Sequence, residues 1–294
     1  MFNQFDLVVP RSLDEALAAM ADANDEGATL ALSGGTSVII DMRARRIAPE
    51  KLISLGNVAD FKWTQLHNGR VEIGGGTTIS DVLYSSDMPN AAPSLFTAAQ
   101  VFGGQMVRNA ATIAGNICSG SPAADTVPPL LTLDADITLS SAEGDREVKL
   151  NDFYTGFKQD VRQPNEIVTR IGWDRLSDNA CNLFYKLGLR KGDAITVTGV
   201  AVTLVVSDGI CERARIALNS VAPIVKRATG AEQMLEGQPL TPELIEETAR
   251  QAVTESSPID DVRASAEYRR HAVFVLTRRL LNEAWARLQT GESA

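Results

Sequence analysis

Small residues are concentrated in three loops of this chain. We call residues 33–37, SGGTS, the first loop. Residues 74–78, GGGTT, are called the third loop, although they precede the second loop in the chain. The second loop, residues 103–125, reads GGQMVRNAATIAGNICSGSPAAD, and its only charged residues are Arg108 and Asp125. Glycine lets a backbone approach a ligand closely, and backbone N–H groups bind phosphate oxygens without help from basic side chains. Together the loops predict a site for a long ligand that carries a pyrophosphate.

The common nucleotide-binding motifs are absent from the sequence. No G-x-G-x-x-G opens a helix after a strand, and no G-x-x-x-x-G-K-[ST] is present. Each loop taken alone is also consistent with an ordinary glycine turn between two elements, and that alternative stays open. The prediction of a ligand site therefore depends on the three loops together.

The order of these loops resembles one known family. Six stretches carry the likeness, and they are FDLVVPRSLDEAL (5–17), LSGGTS (32–37), IGGGTT (73–78), RNAATIAGNI (108–117), SPAAD (121–125) and AEYRRH (266–271). In these stretches the chain is similar to the FAD-binding (medium) subunit of molybdenum hydroxylases, the family that includes xanthine dehydrogenase and aerobic carbon monoxide dehydrogenase. The resemblance covers nearly the whole chain.

The resemblance implies an α+β fold. Residues 1–175 are expected to form a FAD-binding domain of the vanillyl-alcohol-oxidase/PCMH type, made of two subdomains with a boundary near residue 57. Residues 180–290 are expected to form a C-terminal domain of antiparallel strands and helices. A length of 294 residues independently favours two domains over one.

Local patterns predict the elements that position the loops. Ser12 precedes an alanine-rich amphipathic run and predicts a helix over residues 12–23. The polar stretch 174–179 predicts a linker. The remaining patterns predict strands at 29–32, 51–55, 70–73, 136–140, 167–173, 183–187, 197–206 and 214–220, and helices at 78–84, 93–102, 126–131, 223–229, 241–255 and 265–288.

The resemblance also implies which residues border the FAD. Asp125 matches an acidic FAD contact, although it is also placed to cap the predicted helix at 126–131. Phe102 matches an aromatic position beside the flavin and is equally consistent with helix core. The full expected set is Leu32, Ser33, Gly34, Gly35, Thr36, Ser37, Thr77, Phe102, Ala111, Thr112, Gly115, Asn116, Asp125, Ile167 and Lys186.

Other expectations concern residues around this set. Ala114 stands where the family usually has the first glycine of Thr-Ile-Gly-Gly-Asn, so binding is expected to survive if Ala114 has a negative φ. Tyr185 is expected to shield the flavin ring, and the basic turn 190–193, with Lys191, to lie near it. Cys118 is expected to be a packing residue.

No catalytic side chain or metal site is expected in this chain. Cys118, Cys181 and Cys211 are far apart and form no cluster motif, and neither His67 nor His271 belongs to a catalytic arrangement. The resemblance implies non-covalent FAD here, [2Fe–2S] clusters in a small partner subunit and a molybdopterin cofactor in a large one, with the three subunits assembled as a dimer of heterotrimers. Electrons would leave the FAD for NAD⁺, oxygen or a quinone-type carrier.

Two alternatives come from other functional classes: a self-contained flavin oxidase, and a scaffold subunit that has lost the flavin. The roughly 110 residues after the linker are few for a substrate-covering domain, which disfavours the oxidase. The net charge of −9 argues against a nucleic-acid surface. No apolar segment approaches the ~20 residues of a membrane span. The sequence predicts a cytoplasmic location, with export beside a signal-bearing partner left open.

Overall fold

The computed structural model describes residues 4–23, 28–190 and 192–291, which form a mixed α+β fold. Its first sheet has three parallel strands in the spatial order β1-β3-β2. The elements are β1 (Asp6–Val8), α1 (Leu13–Met20), β2 (Thr29–Leu32), α2 (Val38–Arg43), β3 (Lys51–Ser54) and a 3₁₀ turn at Leu55–Asn57. The Ser12 hydroxyl caps α1 by accepting a bond from the Glu15 amide at 3.1 Å. Met20 of α1 then packs with Ile53 in the core beneath this sheet.

The second sheet is antiparallel, in the order β4-β5-β10-β6-β7, and carries most of the helices. Ile79, Leu95 and Ile113 from three helices share one core with Ile73 and Ile137 of the sheet. The elements are β4 (Thr64–His67), β5 (Arg70–Gly74), α3 (Ile79–Tyr84), α4 (Met88–Ala91), α5 (Pro93–Val101), α6 (Gln105–Ala110), α7 (Ile113–Cys118), α8 (Val127–Thr132), β6 (Asp136–Ser141), β7 (Gly144–Lys149), a 3₁₀ turn at Leu150–Asp152, the separate hairpin of β8 (Tyr154–Gly156) and β9 (Gln159–Asp160), and β10 (Ile167–Asp174).

The third sheet is antiparallel, in the order β11-β12-β13-β14, and is covered on both faces. Successive strand residues point to opposite faces. Phe184 and Ala201 therefore join the core of the second sheet, whereas Leu183 and Val200 join a core with the C-terminal helices. The elements are β11 (Ala180–Gly188), β12 (Thr196–Ser207), β13 (Ile210–Asn219), β14 (Lys226–Arg227), α9 (Thr229–Leu235), α10 (Pro242–Thr254) and α11 (Ala266–Thr290).

The α+β class is confirmed, and most predicted elements are present within a few residues. The helix predicted at 223–229 is wrong. Lys226 and Arg227 instead form β14, which pairs with Leu218 and Ala217, and α9 begins only at Thr229. Pairing with the free edge of β13 provides hydrogen-bond partners for the backbone N–H and C=O groups of Lys226 and Arg227. No helix in the described part of the chain is long and apolar enough to cross a membrane.

Asn182 joins the third sheet to the helices of the second. It lies on β11 and is fully buried. Its Oδ1 accepts a bond from the Ser94 amide at 2.9 Å, and its Nδ2 donates to the hydroxyls of Thr203 at 2.7 Å and Thr132 at 3.3 Å. A buried amide with three partners is costly to remove, because each partner would lose its bond without gaining water.

Asn182→Ala is expected to lower the free energy of unfolding by about 2–4 kcal/mol, since it opens a cavity and leaves the Ser94 amide unpaired. Urea denaturation measures this loss. Asn151→Ala, at an exposed asparagine bonded only to its neighbour Asp152, is the matched control and should change stability by less than about 0.5 kcal/mol. Equal effects of the two changes would contradict the interpretation that the buried hydrogen bonds of Asn182 connect the third sheet to the helices of the second.

Candidate functional site

A cleft of about 720 Å³ opens between the first sheet and the helices of the second. The first loop forms one wall of the cleft. The part of the second loop between residues 107 and 119, which includes α7, forms another wall, and the β8–β9 hairpin closes the far side. Eleven of the fifteen residues expected at the site line this cleft: Ser33, Gly34, Gly35, Thr36, Ser37, Phe102, Ala111, Thr112, Gly115, Asn116 and Ile167. Leu32, Thr77, Asp125 and Lys186 do not.

The first loop rests directly on the second. A Cβ placed on Gly34 would lie 1.8 Å from the carbonyl oxygen of Ala110, so only glycine fits there without displacement of one loop. Gly35 has φ +68°, in the left-handed region that favours glycine. These two glycines explain why the turn between β2 and α2 is built from small residues.

The amides of the first loop are available to a ligand. Within the described residues, the backbone N–H groups of Gly34, Gly35, Thr36 and Ser37 donate to no other protein group. Backbone N–H groups in folded proteins nearly always have a hydrogen-bond partner. For these four groups the partner is water or a bound molecule. Adjacent amides that face a cleft suit an anion such as a pyrophosphate.

The second loop is held in place by a cap. The Thr112 hydroxyl accepts a bond from the Gly115 amide at 2.9 Å and so caps α7. Ala114 follows within that helix, where it has a helical backbone and therefore a negative φ. The extra methyl group thus meets the condition under which it was expected to be tolerated.

The third loop supports the other two from behind. Thr77 is buried, its hydroxyl donates to the Trp63 carbonyl at 3.0 Å, and its own carbonyl accepts a bond from the Ile113 amide at 2.9 Å. A Cβ on Gly75 would lie 2.3 Å from the Val168 carbonyl oxygen, so this glycine serves close packing. Thr77 therefore positions the start of α7 in this structure and does not line the cleft.

Asp125, at the end of the second loop, and Lys186, on β11 of the third sheet, form a buried ion pair. The Lys186 Nζ lies 2.6 Å from the Asp125 Oδ2 and 3.2 Å from the Val101 carbonyl oxygen, and each side chain is less than a tenth exposed. The Thr196 hydroxyl donates to the other carboxylate oxygen. Burial raises the pKa of the Asp125 carboxyl, and the Lys186 ammonium opposes that shift. Asp125 makes no capping bond to α8.

Tyr185 packs against the C-terminal helices. It neighbours Lys186 along β11 and therefore points to the opposite face of the sheet. There its ring packs with the C-terminal core, and the Arg279 guanidinium carbon lies 4.9 Å from the ring centroid. Tyr185 does not line the cleft, and its shielding of the flavin ring stays a prediction.

The turn after β11 approaches the second loop. The Asp193 carboxylate lies near Gly103, and the Arg190 guanidinium donates to the Asp193 backbone carbonyl. Lys191, which was expected to lie near the flavin ring with the rest of this turn, lies outside the described residues. Neither Arg190 nor Asp193 lines the cleft.

The far wall of the cleft was missed by sequence reasoning. Lys158, at φ +55° in the β8–β9 turn, lies 3.5 Å from the Asp41 carboxylate of α2. Arg162 forms a bidentate pair with Asp160, with nitrogen–oxygen distances of 2.9 and 2.8 Å. Cys118 also borders the cleft, and burial raises the pKa of its thiol. The only available signal was the polar run at 158–166, which matches no binding motif.

The buried pair generates a stability prediction. Lys186→Met is expected to cost about 3 kcal/mol of unfolding free energy, because it leaves the Asp125 carboxylate buried without its counter-charge. The double variant Lys186→Met/Asp125→Asn should lose less than the sum of the two single variants, since neither residue is then an isolated charge. Urea denaturation of the four proteins measures the coupling, and additive losses would contradict it.

The same variant should respond to pH. Without Lys186 the folded-state pKa of Asp125 lies still further above its ordinary value of 3.8, because burial is then unopposed. A raised folded-state pKa contributes stability that is lost as the pH rises through it. The stability deficit of Lys186→Met should therefore grow from about pH 4 towards neutrality.

Comparison with known proteins gives concordant matches. A family model described as the FAD binding domain in molybdopterin dehydrogenase matches residues 3–172, and another described as the CO dehydrogenase flavoprotein C-terminal domain matches residues 183–284. The carbon monoxide dehydrogenase medium chain of Hydrogenophaga pseudoflava is 29% identical over 97% of this chain and 98% of its own length. The glyceraldehyde dehydrogenase medium chain of Sulfolobus acidocaldarius is 31% identical over 95% and 98%.

A solved structure agrees with the sequence matches. Carbon monoxide dehydrogenase from Hydrogenophaga pseudoflava contains a chain that superposes with a TM-score of 0.93 at 29% identity, covering 98% of this chain and 99% of that one. The likeness in fold therefore extends over nearly the whole chain. The chain belongs to the family of FAD-binding medium subunits of molybdenum hydroxylases, and it is an oxidoreductase subunit with FAD as its cofactor.

Proposed function

We propose that this chain holds FAD in the cleft, takes electrons from [2Fe–2S] clusters of a small partner subunit, and passes them to NAD⁺ or another acceptor. The observation that carries the proposal is the row of four backbone amides, from Gly34 to Ser37, which donate to no other group in the described residues and face a cleft of about 720 Å³. FAD supplies the ability to accept and release electrons; the protein binds and orients it.

The residues present fit a dinucleotide. The amides of the first loop would receive the pyrophosphate, with the Thr36 and Ser37 hydroxyls as further donors. Phe102 and Ile167 supply apolar wall, which suits a flat aromatic ring. Lys158 and Arg162 on the far wall are each paired with a carboxylate, so the cleft carries little free positive charge among the described residues. Binding of this kind depends on backbone geometry more than on charged side chains.

Asp125 and Lys186 have a different place in this proposal from the other expected residues. Both are buried and bonded to each other, and their contact with Val101 fixes the residue just before Phe102. We propose that they set the position of Phe102 at the cleft. Thr77 would act similarly on α7 through Ile113.

The proposal of partners draws on the relatives. Two are named medium chains, one of a carbon monoxide dehydrogenase and one of a glyceraldehyde dehydrogenase, and another is named a xanthine dehydrogenase FAD-binding subunit. A medium chain implies smaller and larger companions. We propose a heterotrimer with a [2Fe–2S] subunit and a molybdopterin subunit, paired into a dimer and located in the cytoplasm.

Two finer structural assignments belong to the same proposal. The first and second sheets would be the two subdomains of a vanillyl-alcohol-oxidase/PCMH-type FAD domain, covering residues 1–175 with a boundary near residue 57. Residues 180–290 would be the C-terminal domain. The change from parallel to antiparallel pairing between β3 and β4 supports the internal boundary.

Gly34→Ala is expected to weaken FAD retention at least tenfold, because the new Cβ would displace the first loop from the Ala110 carbonyl. The matched control is Gly104→Ala, where φ is −89° and a Cβ would meet nothing within 4 Å. FAD released by acid precipitation from each purified protein, divided by protein concentration, measures retention. Full FAD in folded Gly34→Ala would show that the first loop is only a turn.

The electron-transfer role is tested on the native complex and on the isolated chain. The complex should contain one acid-releasable FAD per chain together with iron and molybdenum, whereas the isolated chain should contain FAD alone. The isolated chain, reduced chemically, should pass electrons to an acceptor but oxidise no organic substrate, because we expect no catalytic side chain in it. Substrate turnover by the isolated chain would favour the self-contained flavin oxidase, and absence of FAD would favour the scaffold.

A further inference from the structure

We propose that Thr126 is a positioning residue, which locks the side-chain amide of Asn116 so that its Nδ2 donates a hydrogen bond to the FAD in the cleft. This inference rests on the proposed function of the cleft. Asn116 lies on α7 and lines the cleft, whereas Thr126 is fully buried just before α8 and does not line it. The role of Thr126 would therefore be exerted through Asn116 alone.

The hydrogen bonds fix which way the amide faces. The Asn116 Oδ1 accepts one bond from the Thr126 hydroxyl at 2.7 Å and another from the Thr126 backbone amide at 3.3 Å. A backbone N–H can only donate, so the atom turned towards Thr126 must be the oxygen. The Nδ2 then points away, and within the described residues it donates to no protein acceptor. A donor at a cleft wall with no protein partner suits a phosphate or carbonyl oxygen of a ligand.

Thr126 is itself held by the third sheet. Asp125, its neighbour in sequence, is bound by side chains of β11 and β12, as described above. The carbonyl of Ala124 accepts a bond from the buried Asn219 of β13 at 3.3 Å. The residue that orients Asn116 is thus attached to a sheet that does not line the cleft, which connects the C-terminal part of the chain to the ligand site.

A locked amide has an energetic advantage over a free one. An unrestrained asparagine can rotate its amide by about 180°, which would place Oδ1 against an electronegative ligand atom. Holding Nδ2 in the donating orientation before the ligand arrives reduces the ordering cost of binding. Two bonds from Thr126 to one oxygen disfavour the reversed orientation, because an amide nitrogen cannot accept them.

The first experiment compares Thr126→Val with Thr126→Ser. Valine keeps the shape but removes the hydroxyl bond, and serine keeps the bond. FAD titrated into the apoprotein, followed by quenching of flavin fluorescence, should bind Thr126→Val about 3- to 10-fold more weakly and Thr126→Ser within about twofold of wild type. Unchanged binding by Thr126→Val, or a loss that serine does not restore, would overturn the proposal.

A double-mutant cycle separates positioning from general damage to the fold. In an Asn116→Ala background, Thr126→Val should weaken FAD binding no further, because the amide that it orients is gone. A structural defect at Thr126 would instead lower binding by the same factor in both backgrounds, which would refute the role assigned here. Failure of the wild-type apoprotein to bind FAD would instead contradict the proposed function itself.

Asn116→Asp tests the direction of the amide without altering Thr126. The carboxylate keeps an oxygen for both Thr126 bonds but presents a second oxygen to the ligand in place of the donor. FAD binding should fall further than in Asn116→Ala, because the new oxygen repels an electronegative partner. Binding equal to wild type would show that the ligand needs no donor here and would overturn the inference.

Discussion

The close contact between Gly34 and the Ala110 carbonyl is the constraint on which the cleft depends. It brings the turn after β2 against the segment that ends α6, although about 75 residues separate them in sequence. A side chain of any size at Gly34 would separate the two loops. Because the loops touch, the unpartnered amides of the first loop and the start of α7 border one cavity. The ligand site is thus a consequence of backbone packing between the first and second loops.

The remainder of the chain holds the first and second loops in position. The third loop stands behind α7 and bonds to it through Thr77, and the third sheet fixes the 121–126 segment through buried polar contacts. Such contacts are costly when they are incomplete, so they specify one arrangement of the sheets. The chemical reactivity belongs to the cofactor, and the protein positions the cofactor and excludes competing reactions.

Sequence reasoning located the local features of the site better than its long-range ones. The first loop is encoded by contiguous residues and borders the cleft in the structure, whereas α7 and its cap at Thr112 were not predicted. The pairing of Asp125 with Lys186 joins residues 61 positions apart, which no local pattern reports. Strand alternation alone separates Tyr185 from Lys186, because neighbouring residues of a strand point to opposite faces. The β8–β9 hairpin was missed because short, polar, exposed strands carry weak periodicity.

The burial of β12 has a consequence for how the molecule responds to its ligand. Its first ten residues are all buried; Ala201 packs in the core with the helices of the second sheet, and Val200, Val202 and Leu204 pack in the core with the C-terminal helices. One strand therefore belongs to the cores of both halves, and neither half can melt without exposing an apolar sheet face to water. A ligand bound at the first loop binds only the native state and therefore raises the free energy of unfolding. The increase applies to every element that unfolds in the same cooperative step. Helix α11, remote in sequence from the first loop, is thermodynamically linked to whether the cleft is filled.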